Sequence, residues 1–175
     1  MPKRRAPKQA RPYCFVGYST REPHVALLVE CLKIVFTPHF DVKITPSALV
    51  SGASQRDEIA QLVANCAFAV VAIDGLRPNV VWEYGALHAH DKPVILLKEA
   101  DARVDIDSYY QDAANLTAAP VKINLDTQLS DVKDVNYAIW NRFSIATTVG
   151  IIWSEYVKKK DEIAGYVDIP EPKLW

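Results

Sequence analysis

Phe68 to Ile73 reads FAVVAI, six apolar residues with no polar interruption. A half-buried strand alternates apolar and polar positions, so an unbroken run of this length, rich in valine and alanine, predicts a strand covered on both faces. Such a strand belongs to the centre of a parallel sheet, and a parallel sheet requires crossover helices. The run ends at Asp74 and Gly75, a polar exit where a turn is expected.

The flanking sequence supplies the alternation that this strand demands. Tyr13 to Tyr18 is a short apolar run, read as the first strand. Val25, Leu28, Val29, Leu32 and Val35 then recur at helical spacing. Val42 to Ile44 gives a short second strand, followed by a loop from Thr45 to Ala53. Ser54 is placed to cap a second helix, with Asp57 three residues on, and Ile59, Leu62, Val63 and Cys66 form its buried stripe. After the central strand, Pro78 and Asn79 open another helix, with Asn79 as its N-cap. That helix ends near Asp91, and Pro93 to Leu97 is the fourth strand. Residues 100–119 are less periodic. Val121 to Leu125 is expected as a fifth strand. Val132, Val135, Ile139 and Phe143 predict a helix from Ser130 onward, and a second helical stretch runs near Val149 to Lys158.

Strands alternating with helices define an α/β fold with a doubly wound parallel sheet of about five strands and flanking helices. One domain accommodates the 175 residues. Residues 1–12 are expected as a flexible basic tail, carrying Lys3, Arg4, Arg5, Lys8 and Arg11 among prolines. Residues 13–168 form the domain, and residues 169–175 a C-terminal tail. The net charge of −1 gives no general argument for nucleic acid. No apolar run approaches the roughly 20 residues of a membrane helix. Cys14, Cys31 and Cys66 are scattered and odd in number, which argues against a disulfide framework or a zinc site and for a reducing, cytoplasmic setting.

Ligands of doubly wound sheets bind beyond the carboxyl ends of the strands. That rule selects Ser19 to Glu22, Thr45 to Ser54, and Asp74 to Glu83. Glu83 is the leading catalytic candidate, because a carboxylate near a helix N-terminus is favoured in its charged form. Such a group can act as a nucleophile or stabilise a positively charged sugar. A glutamate early in a helix is equally often a surface residue. Asp74 is the second catalytic candidate, able to hold a ribose hydroxyl or to orient Glu83, or else a turn residue. Tyr18, Ser19, Ser51, Ser54, Asn79 and Trp82 are candidate substrate contacts, Trp82 by stacking on a base. Neither a GxGxxG nor a GxxxxGK[ST] pattern occurs. His24, His39, His88 and His90 are expected to be structural or exposed, and no metal site is expected.

The stretch GLRPNVVWEYGALHAHDKPVILL, Gly75 to Leu97, resembles the nucleoside 2-deoxyribosyltransferase-like and TIR-like superfamily. The resemblance rests on Glu83, Tyr84, Gly85, Leu87, Ala89 and Lys92 to Ile95. It extends to CFVGYS, Cys14 to Ser19, and to Ser51 to Asp74. It implies a flavodoxin-like sheet and N-glycosidic bond chemistry, with Glu83 as nucleophile or stabiliser. Deoxyribosyltransferases carry a further Asp shortly before the Glu. Here Arg77, Pro78 and Asn79 stand in that stretch, and Asp74 lies three residues earlier. The resemblance implies a nucleoside, a nucleotide or NAD as substrate or ligand, no separate cofactor, and a homo-oligomer. The alternative is a catalytically silent nucleotide-sensing or self-assembling module in bacterial signalling or antiviral defence.

Overall fold

A computed structural model describes residues 11–19, 24–44, 55–74, 78–100 and 136–173. Among them five strands form one sheet, β1 (Tyr13–Gly17), β2 (Asp41–Ile44), β3 (Phe68–Ala72), β4 (Val94–Glu99) and β5 (Ala138–Trp140), in the order β2-β1-β3-β4-β5. Every neighbouring pair is parallel, with Val16 opposite Ile44 and Val70, Val70 opposite Ile95, and Leu97 opposite Ala138. The flanking helices are α1 (Val25–Phe36), α2 (Gln55–Asn65), α3 (Pro78–Ala89) and α4 (Ile145–Lys158). This is the α/β, flavodoxin-like arrangement expected from the alternation of patterns, and β3 is buried at every position.

Strand alternation sorts the core into two layers. Cys14, Val16, Phe68, Val70, Ile95 and Leu97 face α1 and α4, where Leu28, Leu32, Val149 and Ile152 meet them. Phe15, Ala69, Val71 and Leu96 face α2 and α3, where Ile59, Val63, Val80 and Leu87 close over them. The predicted stripe of α1 is buried along its length, Val25, Leu28, Val29, Leu32 and Val35 included. All three cysteines are free and buried. Burial pushes the Cys14 thiol well up, and the Cys66 thiol to about 11.

An aromatic cluster packs at the amino end of β3. The Phe68 ring is 5.1 Å from Phe36, 5.2 Å from Phe40 and 5.4 Å from Tyr156, in edge or tilted contacts. The chain beyond α4 is tied to the same region. Tyr156 donates its hydroxyl to the Val167 carbonyl and accepts from the Val167 N–H, and Trp153 donates to the Ile169 carbonyl. Ile169, expected in a tail, is therefore a core residue at 4% exposure. Arg11, expected in the basic tail, donates to the carbonyls of His39 and Thr37 after α1.

Two local expectations change. The helix expected from Ser130 through Phe143 is not formed over its described part, because residues 138–140 are β5. The apparent helical spacing there buries nothing: Ile139 is 57% and Phe143 80% exposed, while Trp140 fills the core. Asn79 is the second residue inside α3 rather than its N-cap, since the helix opens at Pro78, where a missing N–H is tolerated. The helix closes as the sequence suggested. Asp91 takes a positive φ of 50°, its N–H bonds the His88 carbonyl, and the Lys92 N–H reaches back to Leu87. The fifth strand expected at Val121 to Leu125 lies outside the described residues.

Phe68→Ala is expected to cost about 3–5 kcal/mol, since it empties the centre of the aromatic cluster. Phe143→Ala should change stability by less than about 0.5 kcal/mol. Urea unfolding of both variants checks the pair, and equal losses would contradict the assignment of the core.

Candidate functional site at the carboxyl ends of the central strands

Helix α3 presents Val80, Glu83 and Leu87 to the sheet at exposures of 1%, 1% and 0%. Spacings of three and four place these residues on one helix face. Glu83 thus occupies a position where the pattern calls for an aliphatic side chain. The reading of Glu83 as an exposed dipole-stabilising residue is excluded by its burial. It is also the sixth residue of α3, past the first turn in which the helix dipole acts most strongly.

What admits the carboxylate is Gly17, the last residue of β1. A Cβ built on Gly17 would lie 2.7 Å from Glu83 Oε2, 3.5 Å from the Phe15 ring and 3.6 Å from Val71. The acid therefore packs against bare backbone at the carboxyl end of β1. Gly17 pairs with Val71 of β3 there, and the helices that follow the two strands, α1 and α3, pack on opposite faces of the sheet. That is the switch point at which doubly wound sheets bind ligands. Ser19, two residues further on, is buried at 4% exposure.

Asp74 follows β3 on the other side of the sheet. Its Oδ1 accepts from the Glu99 N–H at 2.7 Å, and its Oδ2 lies 3.6 Å from His24 Nε2. Burial raises the Asp74 pKa. The Glu99 N–H, His24 and the Trp140 indole N–H oppose that rise, and the Glu99 charge adds to it. Glu99 is fully buried and receives the Arg142 guanidinium through two bonds of 3.0 and 2.7 Å. Asp74, Glu99 and Arg142 thereby link the exits of β3, β4 and β5.

The sequence-derived candidates separate on this geometry. Glu83 and the β1 exit come together, with Gly17 as the contact that residue-by-residue reading missed. Asp74 belongs with Trp140 and His24 over the α1/α4 layer, while Gly17 and Glu83 lie over the α2/α3 layer. Tyr18 packs half-buried on the α1/α4 side. Trp82 is 37% exposed on the outer face of α3, its ring 5.7 Å from the Arg56 guanidinium, and Asn79 is exposed. Ser51 and Ser54 lie outside the described residues. His24, expected to be structural or exposed, is nine-tenths buried beside Asp74. His88, on the outer face of α3, bonds the Tyr84 hydroxyl at 2.8 Å. The signals for the missed residues were a glycine closing a strand and an acid on an apolar helix stripe.

Among the described residues no group of three or more His, Cys, Asp or Glu is arranged to hold a metal ion, and no helix is long and apolar enough to cross a membrane. No protein-family model matches the chain, and a search of curated proteins finds no match.

Two outcomes follow. Gly17→Ala should destabilise the protein by about 1–3 kcal/mol, because the new methyl overlaps a buried carboxylate. Gly85→Ala, on the exposed side of α3 with no described atom within 4 Å of the added methyl, should instead stabilise by about 0.5–1 kcal/mol. Urea melts measure both, and a neutral Gly17→Ala would contradict the packing described. The second outcome concerns pH. Asp74 binds its proton more tightly folded than unfolded, so its contribution is favourable below its ordinary value of 3.8 and is lost as pH rises through the raised one. The stability of wild type relative to Asp74→Asn should therefore fall as pH rises above 3.8 and through the raised value. A rising difference in melts across that range would contradict the assignment.

Proposed function

We propose that the protein breaks or transfers the N-glycosidic bond of a nucleoside, a nucleotide or NAD, with Glu83 as the nucleophile or as the stabiliser of the oxocarbenium-like sugar. The observation that carries this reading is the Glu83 carboxylate held against Gly17 at the carboxyl end of β1. A buried acid replacing an aliphatic residue on a helix stripe costs stability. Its position at the β1–β3 switch point supplies a functional reason for that cost. The resemblance of the Gly75–Leu97 stretch to deoxyribosyltransferase-like and TIR-like proteins supports the same chemistry.

In the nucleophilic form, a Glu83 oxygen bonds to the anomeric carbon while the C1′–N bond breaks and its electron pair leaves with the base. Water or a second base then displaces the carboxylate, giving hydrolysis or transfer. In the stabilising form, the same carboxylate faces the cationic sugar as the base departs, and water attacks directly. Either form needs a carboxylate fixed in place before substrate arrives, which packing on a strand end provides. A cytoplasmic homo-oligomer serving nucleotide salvage or antiviral depletion of NAD or nucleotides is the setting proposed for this activity.

One observation favours a second reading, a TIR-like module that senses a nucleotide or assembles without turnover. Asp74 is engaged by the Glu99 N–H on the opposite layer, so it does not serve as the second carboxylate beside Glu83. This reading expects ligand binding with no base released.

The test is chromatography of free nicotinamide or nucleobase after incubation with NAD and with ribo- and deoxyribonucleotides. Wild type should release base. Glu83→Gln, shown by urea melts to be folded, should release it at least about 10³-fold more slowly. Undiminished release by that variant would overturn the proposal. Binding without release by wild type would favour the sensing module.

A further inference from the structure

Three buried polar atoms converge where the start of α1 meets the exits of β3 and β5. Asp74 Oδ2, His24 Nε2 and Trp140 Nε1 each lack a hydrogen-bond partner among the described residues. The Asp74 and His24 side chains are 1% and 10% exposed, and Trp140 is fully buried. His24 Nε2 stands 3.6 Å from Asp74 Oδ2, beyond hydrogen-bond range. The His24 and Trp140 rings are 5.7 Å apart, tilted by 39°. The Trp140 N–H faces the same carboxyl and favours its charged form, without meeting hydrogen-bond geometry. The other Asp74 oxygen is already held by the Glu99 N–H.

Buried polar atoms in native proteins find partners almost without exception. The chemistry of these three restricts what the partner is. A carboxylate only accepts and an indole N–H only donates, whereas a neutral imidazole nitrogen does either according to tautomer. A cation would satisfy Asp74 but meet the indole proton, and an anion would satisfy Trp140 but meet the carboxylate. A neutral group that donates and accepts through one small atom suits both. We infer that Asp74, His24 and Trp140 form a binding site for a single hydroxyl group, which donates to Asp74 Oδ2 and accepts from the Trp140 N–H, with His24 Nε2 as its third contact. A hydroxyl oxygen about 2.8 Å from each of two atoms can bridge the 3.6 Å between His24 Nε2 and Asp74 Oδ2.

The hydroxyl comes from an ordered water or from a sugar or polyol. The site lies over the α1/α4 layer, on the other side of the sheet from Glu83, so it stands whether or not Glu83 carries out the proposed chemistry. Within the site, Arg142 and Glu99 neutralise each other through their paired bonds.

The test uses the full chain labelled with ¹⁵N at tryptophan, with the Trp140 indole resonance assigned from its loss in Trp140→Phe. Cross-relaxation from water to that N–H is measured first. The resonance is then followed during titration with ribose and with glycerol. A water cross-peak that neither solute alters identifies the hydroxyl as that of a bound water. A saturable shift with ribose or glycerol identifies it as a solute hydroxyl. Both results support the site. Asp74→Asn retains an acceptor for the Glu99 N–H but replaces the second oxygen with a donor, so it should abolish either signal. Absence of both signals in wild type, or their survival in Asp74→Asn, would overturn the inference.

Discussion

The parallel pairing of β1 with β3, Gly17 opposite Val71, is the contact on which the other elements depend. Both strands are covered on both faces, so each side chain belongs to one of two layers according to its parity. Odd positions of β1 and β3 meet α2 and α3, and even positions meet α1 and α4. The same rule governs the polar residues at the strand exits. Gly17 opens toward α3 and receives Glu83, while Asp74 continues the even line of β3 and turns toward His24 and Trp140. Two acids nine residues apart in sequence thereby serve opposite sides of the sheet.

Stability and candidate chemistry are divided along the strand axis. The amino end of β3 carries Phe36, Phe40, Phe68 and Tyr156 in one aromatic cluster, further braced by Tyr166 stacked on Tyr156 at 5.0 Å. The carboxyl ends carry the fully buried acids, Asp74, Glu83 and Glu99. Removing an ionised group from water costs several kcal/mol before its partners compensate. Glu99 is compensated by a two-pronged arginine, and Asp74 by a backbone N–H at one oxygen. A fold anchored at its other end tolerates this concentration of buried acids, and α/β proteins generally place ligand sites at this end.

Periodicity disclosed the elements whose burial is locally patterned. The α1 stripe, the α2 stripe and the uninterrupted β3 run were all readable, because each is long enough to express its period. Residues 138–140 were not, since three residues cannot express a period of two. Their strand state comes from pairing with β4, some forty positions away in sequence. Glu83 was legible as a candidate, but its burial was not. That depends on a glycine 66 residues earlier being brought beneath α3. His24 was set aside for a similar reason. A lone histidine before a helix carries no signal until the sheet order places Asp74 and Trp140 beside it. Trp82, attractive in sequence as an aromatic next to Glu83, points away by the ordinary rotation of about 100° per helical residue.

The central claim is that substrate meets the protein at the Glu83 carboxylate over Gly17. Its most direct test is a crystal structure of the Glu83→Gln variant soaked with a nucleoside or with NAD. The account predicts a bound sugar whose anomeric carbon lies within about 3–3.5 Å of the substituted carboxyl position, beside the end of β1. A sugar bound elsewhere on the molecule, with residue 83 still sealed against Gly17, would contradict it.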